Sequence, residues 1–446
     1  MKVSIAEAGR KLSDGTLTAF GLAESCLEAI ASANGEGARV FPYGPSPTAR
    51  DQALASDRLR QAGDTGALSG IPISVKDLFD VAGEVTRAGS QVLPDVIAAR
   101  DAQAIARLRE AGAVLVGRTN MTEFAYSGVG VNPHYGTPLN PFDRATGRIP
   151  GGSTSGGAVS VTDGMAIGAI GSDTGGSCRI PAALCGIAGF KPTAGRVSLE
   201  GSVPLSPTYD SIGSLANTVA CCAMLDAVMA GEAAAPLPHV DLSKVRIAVA
   251  GGTVVANLSE DVSRAFQRSL TALSATGAIL IDGKFPSWDR ISGLGANGGI
   301  VAAEASSWHR RLLMEQADRY DPRVLSRIRL AEQQEPKDYL ELLRLRNSLC
   351  ALADGELEAY DAVVLPTVPL IAPRLRDLDS DEQFFAVNRL LLRNPSVANV
   401  LDLCALSIPC HRPGEPPVGL MLIGRRMSDR ALLALGHAVE QLLAHP

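Results

Sequence analysis

Several features that would assign this chain of 446 residues to a familiar class are missing. No apolar run reaches the roughly 18 residues that a membrane-spanning helix needs, and the start Met1–Glu7 lacks the apolar core of a signal peptide. The formal net charge is only −6, so no overall positive charge attracts nucleic acid or an anionic membrane. We therefore expect a cytoplasmic protein with no nucleic acid or membrane partner. The sequence does not determine the oligomeric state, and a homodimer is one of the alternatives.

The cysteines show no spacing typical of a metal site or a redox pair. None of the eight forms a C-x-x-C motif. In a cytoplasmic protein such residues are expected to be reduced thiols, mostly buried in the core. The positions are Cys26, Cys178, Cys185, Cys221, Cys222, Cys350, Cys404 and Cys410.

The signatures of several common active sites are also missing. The chain has no G-x-S-x-G elbow and no S-x-x-K motif. The glycine-rich segment Gly151–Gly157 is not followed by the Lys-Ser or Lys-Thr pair of a phosphate-binding loop. Of six histidines only His134 lies in the motif-rich region, and we interpret it as a hydrogen-bonding loop residue. These absences argue against an α/β-hydrolase, a penicillin-binding type of site and a nucleotide site.

Two clusters rich in glycine and serine stand out, Gly151–Gly157 and Gly171–Ser177. Glycines beside a serine let backbone N–H groups approach a reacting carbonyl, as an oxyanion hole requires. Ser177 Oγ would be the attacking atom. The alternative is that each cluster is only a flexible turn or a helix start. The predicted oxyanion hole consists of the successive amides of Thr174, Gly175, Gly176 and Ser177.

Lys76 is one of only seven lysines, and it follows an apolar stretch, Ile71–Val75, that predicts a strand. A lysine buried without a carboxylate partner loses its proton readily and can act as a base near neutral pH. The alternative is that Lys76 ends an edge strand and pairs with Asp77 or Asp80. With the two serine clusters, Lys76 predicts a Ser-Ser-Lys site.

Hydrophobic periodicity predicts alternating helices and strands, and hence an α/β fold. The predicted helices are Ala19–Ala33, Asp101–Ala111 and Ser259–Ala275, and the predicted buried strands are Ala113–Val116, Val245–Val249 and Ala362–Leu365. The motifs run from about 70 to 220 without a linker-like interruption. We therefore predict a single domain, 1–446, with a catalytic core at about 65–220 and a variable C-terminal half at about 240–446. The Pro- and Ala-rich stretch Gly231–Pro238 is predicted to be a surface connection between them.

In order and spacing, the motifs resemble those of the amidase signature enzymes. The matching segments are Gly70–Asp77, Asn120–Tyr126, Gly151–Gly157, Gly171–Pro181 and Cys185–Thr193, followed by Gly213–Val219 and, weakly, Pro417–Gly424. The resemblance implies a mixed central β-sheet covered by helices on both faces, with the active site near one edge. It also implies that no metal and no organic cofactor takes part.

The resemblance further implies a catalytic triad. Lys76 would be the base, Ser153 a bridging serine that follows a cis peptide bond, and Ser177 the nucleophile. The separation of 24 residues between the two serines matches the register of the family and favours Ser153 over Ser155. The implied oxyanion hole is the same four amides. Cys178, next to the nucleophile, is interpreted as a thiol packed like a small apolar residue.

Three residues are expected to contact the substrate. In relatives the residue at Tyr126 lies near the acyl pocket, and Gly151 and Gly152 adjoin the bridging serine. The alternative for Tyr126 is a ring packed in the core with a bonded hydroxyl. The basic segment Trp308–Arg311 is interpreted as a solvated helix face rather than a carboxylate clamp, although one of its arginines could reach the substrate funnel.

The implied activity is an amidohydrolase that cleaves a small linear carboxamide or a carbamoyl C–N bond through an acyl-enzyme. One alternative is the glutaminase-type catalytic subunit of a tRNA-dependent amidotransferase, which would have a partner subunit. Another is a scaffold that kept the fold without activity. The sequence does not identify the amide.

Overall fold

The computed structural model describes residues 3–63 and 65–444, and within them ten strands form one mixed sheet. The strands are β1 (Pro72–Lys76), β2 (Val114–Thr119), β3 (Gly168–Ser172), β4 (Ala188–Lys191), β5 (Ile212–Ala216), β6 (Arg246–Ala250), β7 (Ile279–Gly283), β8 (Ala362–Pro366), β9 (Cys404–Pro409) and β10 (Gly419–Gly424). Their order across the sheet is β2-β1-β3-β5-β4-β9-β10-β8-β6-β7.

Sixteen α-helices accompany this sheet in the described residues. They are α1 (Ile5–Ser13), α2 (Ala19–Ala31), α3 (Gly37–Val40), α4 (Ala49–Gln61), α5 (Gln103–Glu110), α6 (Ser155–Thr162), α7 (Arg179–Cys185), α8 (Val219–Ala230), α9 (Glu260–Ala275), α10 (Pro286–Asp289), α11 (Gly299–Gln316), α12 (Pro322–Ile328), α13 (Pro336–Leu357), α14 (Asp381–Arg393), α15 (Ser396–Val400) and α16 (Asp429–Ala444). None of the helices in the described ranges combines the length and the apolar character that a membrane crossing demands.

The elements predicted from periodicity are confirmed, with their ends shifted by a few residues. Helices α2, α5 and α9 and strands β2, β6 and β8 lie where the sequence places them. Helix α2 begins after Thr18, whose hydroxyl accepts a hydrogen bond from the Gly21 amide and so caps the first turn. The predicted burial of the eight cysteines is also confirmed: all of them lie in the described residues, and all are buried free thiols.

Helices cover both faces of the sheet, as predicted. Neighbouring residues of a strand point to opposite faces. On β9, Leu406 packs toward Gly436 of α16, while Ser407 lies on the face that holds Ala183 of α7. Helix α6 lies on the same face as α7, and α8 on the same face as α16. The central strands are therefore shielded from water on both sides, and β1, β3, β4, β8 and β10 are buried along their whole length.

The position of β1 explains how a site forms at one end of the sheet. Strand β1 pairs in parallel with β2 on one side and β3 on the other. Parallel neighbours end at the same edge of a sheet, so Lys76 and Ser172, the last residues of β1 and β3, lie side by side. The alternative that Lys76 ends an edge strand is wrong, because β1 is internal.

The sheet continues from the motif-rich region into the C-terminal half. Strand β4 pairs antiparallel with β9, where Phe190 lies opposite Leu406. The connection Gly231–Pro238 is mostly exposed, as predicted for a surface segment. The division into a core and a variable half within one domain stays a prediction.

Candidate active site

Lys76 lies at the centre of a polar cluster inside the protein. Its side chain is fully buried, and its Nζ donates to Ser153 Oγ at 2.7 Å and to Ser172 Oγ at 3.0 Å. The carbonyl oxygen of Ser172 lies 3.4 Å away. Ser155 is not part of this cluster, because its hydroxyl is directed to the carbonyl of Asn120 at 3.5 Å. Of Ser153 and Ser155, the one that contacts Lys76 is therefore Ser153, which the resemblance favours.

The Lys76 ammonium has no carboxylate partner in the described residues. Asp77, which follows it, pairs instead with Arg118 at 2.8 Å, and Asp80 accepts a hydrogen bond from Thr86. Burial disfavours the charged amine and lowers the pKa of Lys76 to about 8, although nearby polar and acidic groups partly oppose this. The alternative of an ion pair with Asp77 or Asp80 is wrong, and the neutral amine is accessible near neutral pH.

The backbone holds Ser153 between two other loops. The Gly152–Ser153 peptide bond is cis. The Ser153 carbonyl accepts a hydrogen bond from the Thr122 amide at 3.1 Å. The next amide, that of Thr154, donates to the carbonyl of Ser177 at 3.2 Å. These bonds place the two serines of the predicted triad on adjacent, directly connected segments.

Ser177 and Cys178 differ in what surrounds their side chains. Ser177 Oγ has no hydrogen-bond partner in the described residues and is not sealed from solvent, so it is available to react. The Cys178 thiol is fully buried and directed to the Ser172 carbonyl. Burial raises the pKa of Cys178 to about 12, which makes its thiolate inaccessible at neutral pH. The geometry favours serine as the nucleophile and agrees with a packed thiol at Cys178.

Three of the four amides predicted to form an oxyanion hole are free. Within the described residues the N–H groups of Thr174, Gly175 and Ser177 have no acceptor. The Gly176 amide differs, because it donates to Asp173 Oδ1 at 2.8 Å. A single N–H aimed at a carboxylate does not also point at a substrate oxygen. We therefore leave Gly176 out of the proposed hole.

Gly176 has a structural reason to be glycine. Its φ is +126°, a conformation that side chains rarely adopt. A Cβ there would lie 2.5 Å from Cβ of Pro395 and 2.8 Å from Cδ1 of Ile180. The residue allows the turn to be tight, and its amide serves the turn by donating to Asp173.

A buried ion pair fixes the turn that carries Ser177. The carboxylate of Asp173 pairs with the Arg179 guanidinium through two contacts, at 2.9 and 3.1 Å, and both side chains are fully buried. It also accepts from the Cys178 amide at 3.0 Å and from Asn399 Nδ2 at 2.9 Å. Burial alone would raise the pKa of Asp173, but attraction to Arg179 and these hydrogen bonds outweigh it and hold that pKa well below its usual range.

A second carboxylate supports the other end of the same turn. The Thr174 hydroxyl donates to Asp210, which also accepts from the amides of Leu205 and Ser206 at 3.0 and 3.1 Å. Burial raises the pKa of Asp210 to about 6, although these hydrogen bonds oppose the shift. The Thr174 side chain is thereby held in place by Asp210.

The structure gives Gly151 and Gly152 a packing role. A Cβ on Gly152 would lie 2.7 Å from Gly130 Cα, and one on Gly130 would lie 2.3 Å from the Gly151 carbonyl. The Gly152 amide donates to the Gly128 carbonyl at 2.8 Å. The space beside both residues is thus filled by the protein itself, and their contact with a substrate stays a prediction.

Tyr126 lies beside this backbone contact, two residues before Gly128. Its ring is buried, but its hydroxyl has no hydrogen-bond partner in the described residues, contrary to the alternative of a bonded core tyrosine. The guanidinium of Arg327 lies over the ring, with Cζ 4.2 Å from the centroid. One guanidinium nitrogen of Arg327, Nη1, donates to the Tyr126 carbonyl.

The two remaining interpretations concern His134 and the segment Trp308–Arg311. His134 is a hydrogen-bonding loop residue, as predicted: its Nε2 lies 2.8 Å from Glu123 Oε1. The segment lies in α11 and is mostly solvated, but His309 is fully buried and packs edge-on against Phe124. The solvated helix face is therefore wrong for His309, because the helix turns that residue toward the protein.

Sequence reasoning missed the residues that support the proposed triad, namely Ser172, Asp173, Arg179, Asp210 and Asn399. Ser172 and Asp173 lie inside the second glycine-serine cluster, so their positions were visible. The residues that they contact could not be read from the sequence, because Lys76 lies 96 residues from Ser172 and Asn399 lies 226 residues from Asp173. A prediction that β1 and β3 are parallel neighbours would have placed Ser172 next to Lys76, because both residues end their strands.

No group of three or more His, Cys, Asp or Glu side chains in the described residues is arranged to hold a metal ion. The groups around Lys76 are hydroxyls, amides and an amine, which suit proton transfer and the binding of a developing negative charge.

Comparison with known proteins decides the family. The model of the family described as Amidase matches residues 22–433. The chain belongs to this family, the amidase signature enzymes. Among curated relatives, 2-amino-5-chloromuconic acid deaminase of Comamonas testosteroni is 33% identical over 447 residues, covering 99% of this chain and 96% of that protein. A glutamyl-tRNA(Gln) amidotransferase subunit of Roseiflexus sp. (strain RS-1) is 31% identical, with the same coverage of both proteins.

Solved amidase structures share the fold. A crystal structure described as an amidase has a TM-score of 0.88 and 32% identity, and the match covers 98% of this chain and 99% of that one. The mixed sheet and the helices on both faces are thus those of the amidase signature enzymes, and the chain is an amidase-signature hydrolase of C–N bonds.

Proposed function

We propose that this amidase-signature enzyme hydrolyses a small-molecule carboxamide or carbamoyl compound through Lys76, Ser153 and Ser177. The observation that carries the proposal is the buried contact of 2.7 Å between Lys76 Nζ and Ser153 Oγ, with no carboxylate to keep the amine charged. Two further observations support it: the Ser177 hydroxyl has no hydrogen-bond partner in the described residues, and the Ser177 carbonyl accepts from the amide of Thr154, the residue after Ser153.

In the proposed reaction, Ser177 Oγ attacks the amide carbonyl and forms a bond to carbon while its proton passes through the Ser153 hydroxyl to neutral Lys76. The negative charge that develops on the carbonyl oxygen is bound by the free amides of Thr174, Gly175 and Ser177. The C–N bond then breaks, and the proton returns through Ser153 to the leaving nitrogen. Water adds to the acyl-enzyme by the reverse path, releasing the acid and restoring Ser177. No step calls for a cofactor.

A second candidate is the glutaminase-type catalytic subunit of a tRNA-dependent amidotransferase. The similarity to the glutamyl-tRNA(Gln) amidotransferase subunit favours it. The similarity to 2-amino-5-chloromuconic acid deaminase instead favours a small substrate handled without a tRNA partner. ATP-dependent glutamine hydrolysis, or a second protein that co-purifies with the native enzyme, would favour the second candidate.

A panel of primary, aryl and carbamoyl amides, assayed for ammonia or amine release, tests the proposal. We expect turnover by the native protein and a loss of at least about 10³-fold in Ser177→Ala and in Lys76→Ala. Cys178→Ala is the matched control, since it removes an adjacent buried side chain that takes no part in the reaction, and it should retain activity within a few fold. A fluorophosphonate should label the native protein and not Ser177→Ala.

Unchanged turnover in folded Ser177→Ala or Lys76→Ala protein would contradict the assigned roles. If Cys178→Ala lost the labelling and Ser177→Ala kept it, the nucleophile would be the Cys178 thiol and not the Ser177 hydroxyl.

A further inference from the structure

A second cavity, of about 740 Å³, lies where the parallel strands β6 and β7 end. The turn after β6, residues 251–254, forms one side of it, and the segment at the end of β7, residues 282–285, forms the other. Trp288 of α10 and Arg393 of α14 lie in the remaining wall. The volume is typical of sites that bind metabolites, and the proposed hydrolysis does not use this cavity.

The chain leaves β6 and β7 toward opposite faces of the sheet. Helix α9 follows β6, and its Phe266 belongs to the same buried cluster as Ile247 of β6. Helix α13 comes after β7, and its Leu349 belongs to the cluster of Ala248, which points to the other face. Parallel neighbours whose connections separate in this way leave a crevice at their carboxyl ends, and open α/β sheets bind nucleotides and other ligands in such crevices.

The turn after β6 presents backbone donors to open space. The N–H groups of Gly251 and Gly252 have no acceptor in the described residues. A Cβ at either glycine would meet no atom within 4 Å, so no neighbouring group fills the space in front of them. Gly252 has a φ of +72°, which favours glycine. Successive amides beside an open volume suit the oxygens of an anion such as a phosphate.

Two charged side chains at the end of β7 lack partners. Asp282 and Lys284 both line the cavity and are exposed, and neither forms a hydrogen bond or an ion pair in the described residues. Asp282 lies opposite Val249, two residues before the glycine turn. A carboxylate accepts hydrogen bonds from sugar hydroxyls, and a lysine binds phosphate as a point charge. An acidic residue on the strand beside a glycine turn holds the ribose in dinucleotide-binding folds.

An aromatic surface completes the cavity. The rings of Phe285 and Trp288 are stacked, with centroids 4.6 Å apart and planes inclined by 22°. The Nε1 atom of Trp288 is buried and has no acceptor in the described residues, and leaving such a donor unpaired costs free energy. A heteroaromatic base offers a face that stacks on aromatic side chains and ring atoms that accept a hydrogen bond.

We propose that the crevice between β6 and β7 binds a nucleoside monophosphate. The base packs against Trp288 and accepts from its Nε1. The sugar hydroxyls donate to Asp282. The phosphate accepts from the amides of Gly251 and Gly252 and from Lys284. The P-loop that the sequence lacks is one kind of nucleotide site, and this crevice is of another kind.

The cavity and the active site lie on two sides of one segment. Arg393 and Val397 line the cavity, whereas Pro395, between them, lies against the turn that carries Ser177. A Cβ on Gly176 would be 2.5 Å from Cβ of Pro395. None of the three residues of the proposed triad borders the cavity. A nucleotide in the crevice therefore leaves the proposed nucleophile free.

Calorimetric titration of the native protein with AMP, GMP, CMP and UMP tests the proposal. We expect at least one of them to bind saturably, with a Kd below about 1 mM. The corresponding nucleoside should bind at least about 3-fold more weakly, because it lacks the phosphate. Ribose 5-phosphate, which lacks the base, should also bind at least about 5-fold more weakly than the nucleotide.

Three variants separate the contacts. Lys284→Gln should weaken binding of the nucleotide about 3- to 10-fold and leave the nucleoside unchanged, because only the phosphate meets this charge. Trp288→Phe keeps an aromatic face and removes the N–H, so both ligands should bind about 5-fold more weakly. Lys244→Gln is the matched control and should change nothing, since this exposed lysine lies before the start of β6 and pairs with Asp241 at 3.3 Å.

Fluorescence locates the bound nucleotide. The chain has two tryptophans, so Trp308→Phe protein retains only Trp288, whose emission should change as the nucleotide binds. Protein labelled at Ser177 with a fluorophosphonate should bind the nucleotide with the same affinity. Loss of binding after labelling would place the nucleotide in the active site and overturn the proposal. So would equal affinity for nucleotide and nucleoside, unchanged affinity in Lys284→Gln, or no binding of any of the four nucleotides at about 10 mM.

Discussion

Among single residues, Lys76 bears most directly on the chemistry. Its amine is surrounded by the hydroxyls of Ser153 and Ser172 and by no carboxylate in the described residues. A neighbouring acid would keep the amine charged, whereas hydroxyls accept a hydrogen bond from the ammonium and can donate one to the neutral amine. The same side chain can therefore hold a proton and release it during one turnover.

The rate should follow the protonation state of Lys76. Because burial lowers its pKa to about 8, the neutral base becomes more abundant as the pH rises through that value. We predict that kcat/KM increases about tenfold per pH unit below the pKa and levels off above it. Lys76→Arg should be nearly inactive, since a guanidinium keeps its proton throughout this range.

A pH series of kcat/KM on a neutral amide checks this, because such a substrate does not titrate itself. A profile that is flat from pH 6 to 9, or that falls with rising pH, would exclude Lys76 as the base.

Among the elements, the short turn between β3 and α7 carries Ser177, the proposed nucleophile. Its two ends are fixed by side chains from other parts of the chain, Asp210 at Thr174 and the Asp173–Arg179 pair with Asn399 of α15. These supports leave the amides of Thr174, Gly175 and Ser177 without an acceptor in the described residues. The turn is therefore fixed before a substrate arrives, as the proposed oxyanion hole requires.

Removing the charge of Asp173 should destabilise the protein strongly. In Asp173→Asn, the fully buried Arg179 loses its counter-charge, and the expected cost is about 3–5 kcal/mol in the free energy of unfolding. Asp163→Asn is the control, because its pair with Arg144 is partly solvated, and it should cost about 1 kcal/mol or less. Urea unfolding of both variants measures the difference. If both variants lost only about 1 kcal/mol in the free energy of unfolding, buried Arg179 would not need the charge of Asp173.

Across the whole molecule, one sheet connects the site to the C-terminal half. Strands β4 and β9 pair across the boundary between the two regions, and α15 supplies Asn399 to the turn that carries Ser177. A sheet that is continuous across both regions should lose its structure cooperatively.

We predict a single unfolding transition. The two tryptophans of the chain, Trp288 and Trp308, both lie in the C-terminal half, whereas labelling of Ser177 reports on the motif-rich region. In urea, fluorescence and labelling should give the same midpoint. Leu406→Ala, which leaves a cavity where β9 meets α16, should lower both midpoints together by the equivalent of about 2–5 kcal/mol. Two separated midpoints would indicate independent domains.

The sequence by itself determined the types of the elements and the residues of the motifs. Apolar periodicity located α2, α5, α9, β2, β6 and β8, because it is a property of neighbouring residues. The order and spacing of the motifs singled out Lys76, Ser153 and Ser177 and identified the family.

Only the tertiary structure decided what those residues contact. That Lys76 meets Ser172 and no acid, that the Gly176 amide turns to Asp173, and that Arg327 covers Tyr126 all depend on partners far apart in the chain. Such contacts follow from strand order, register and helix packing, and these are set by burial across the whole core rather than by any local pattern.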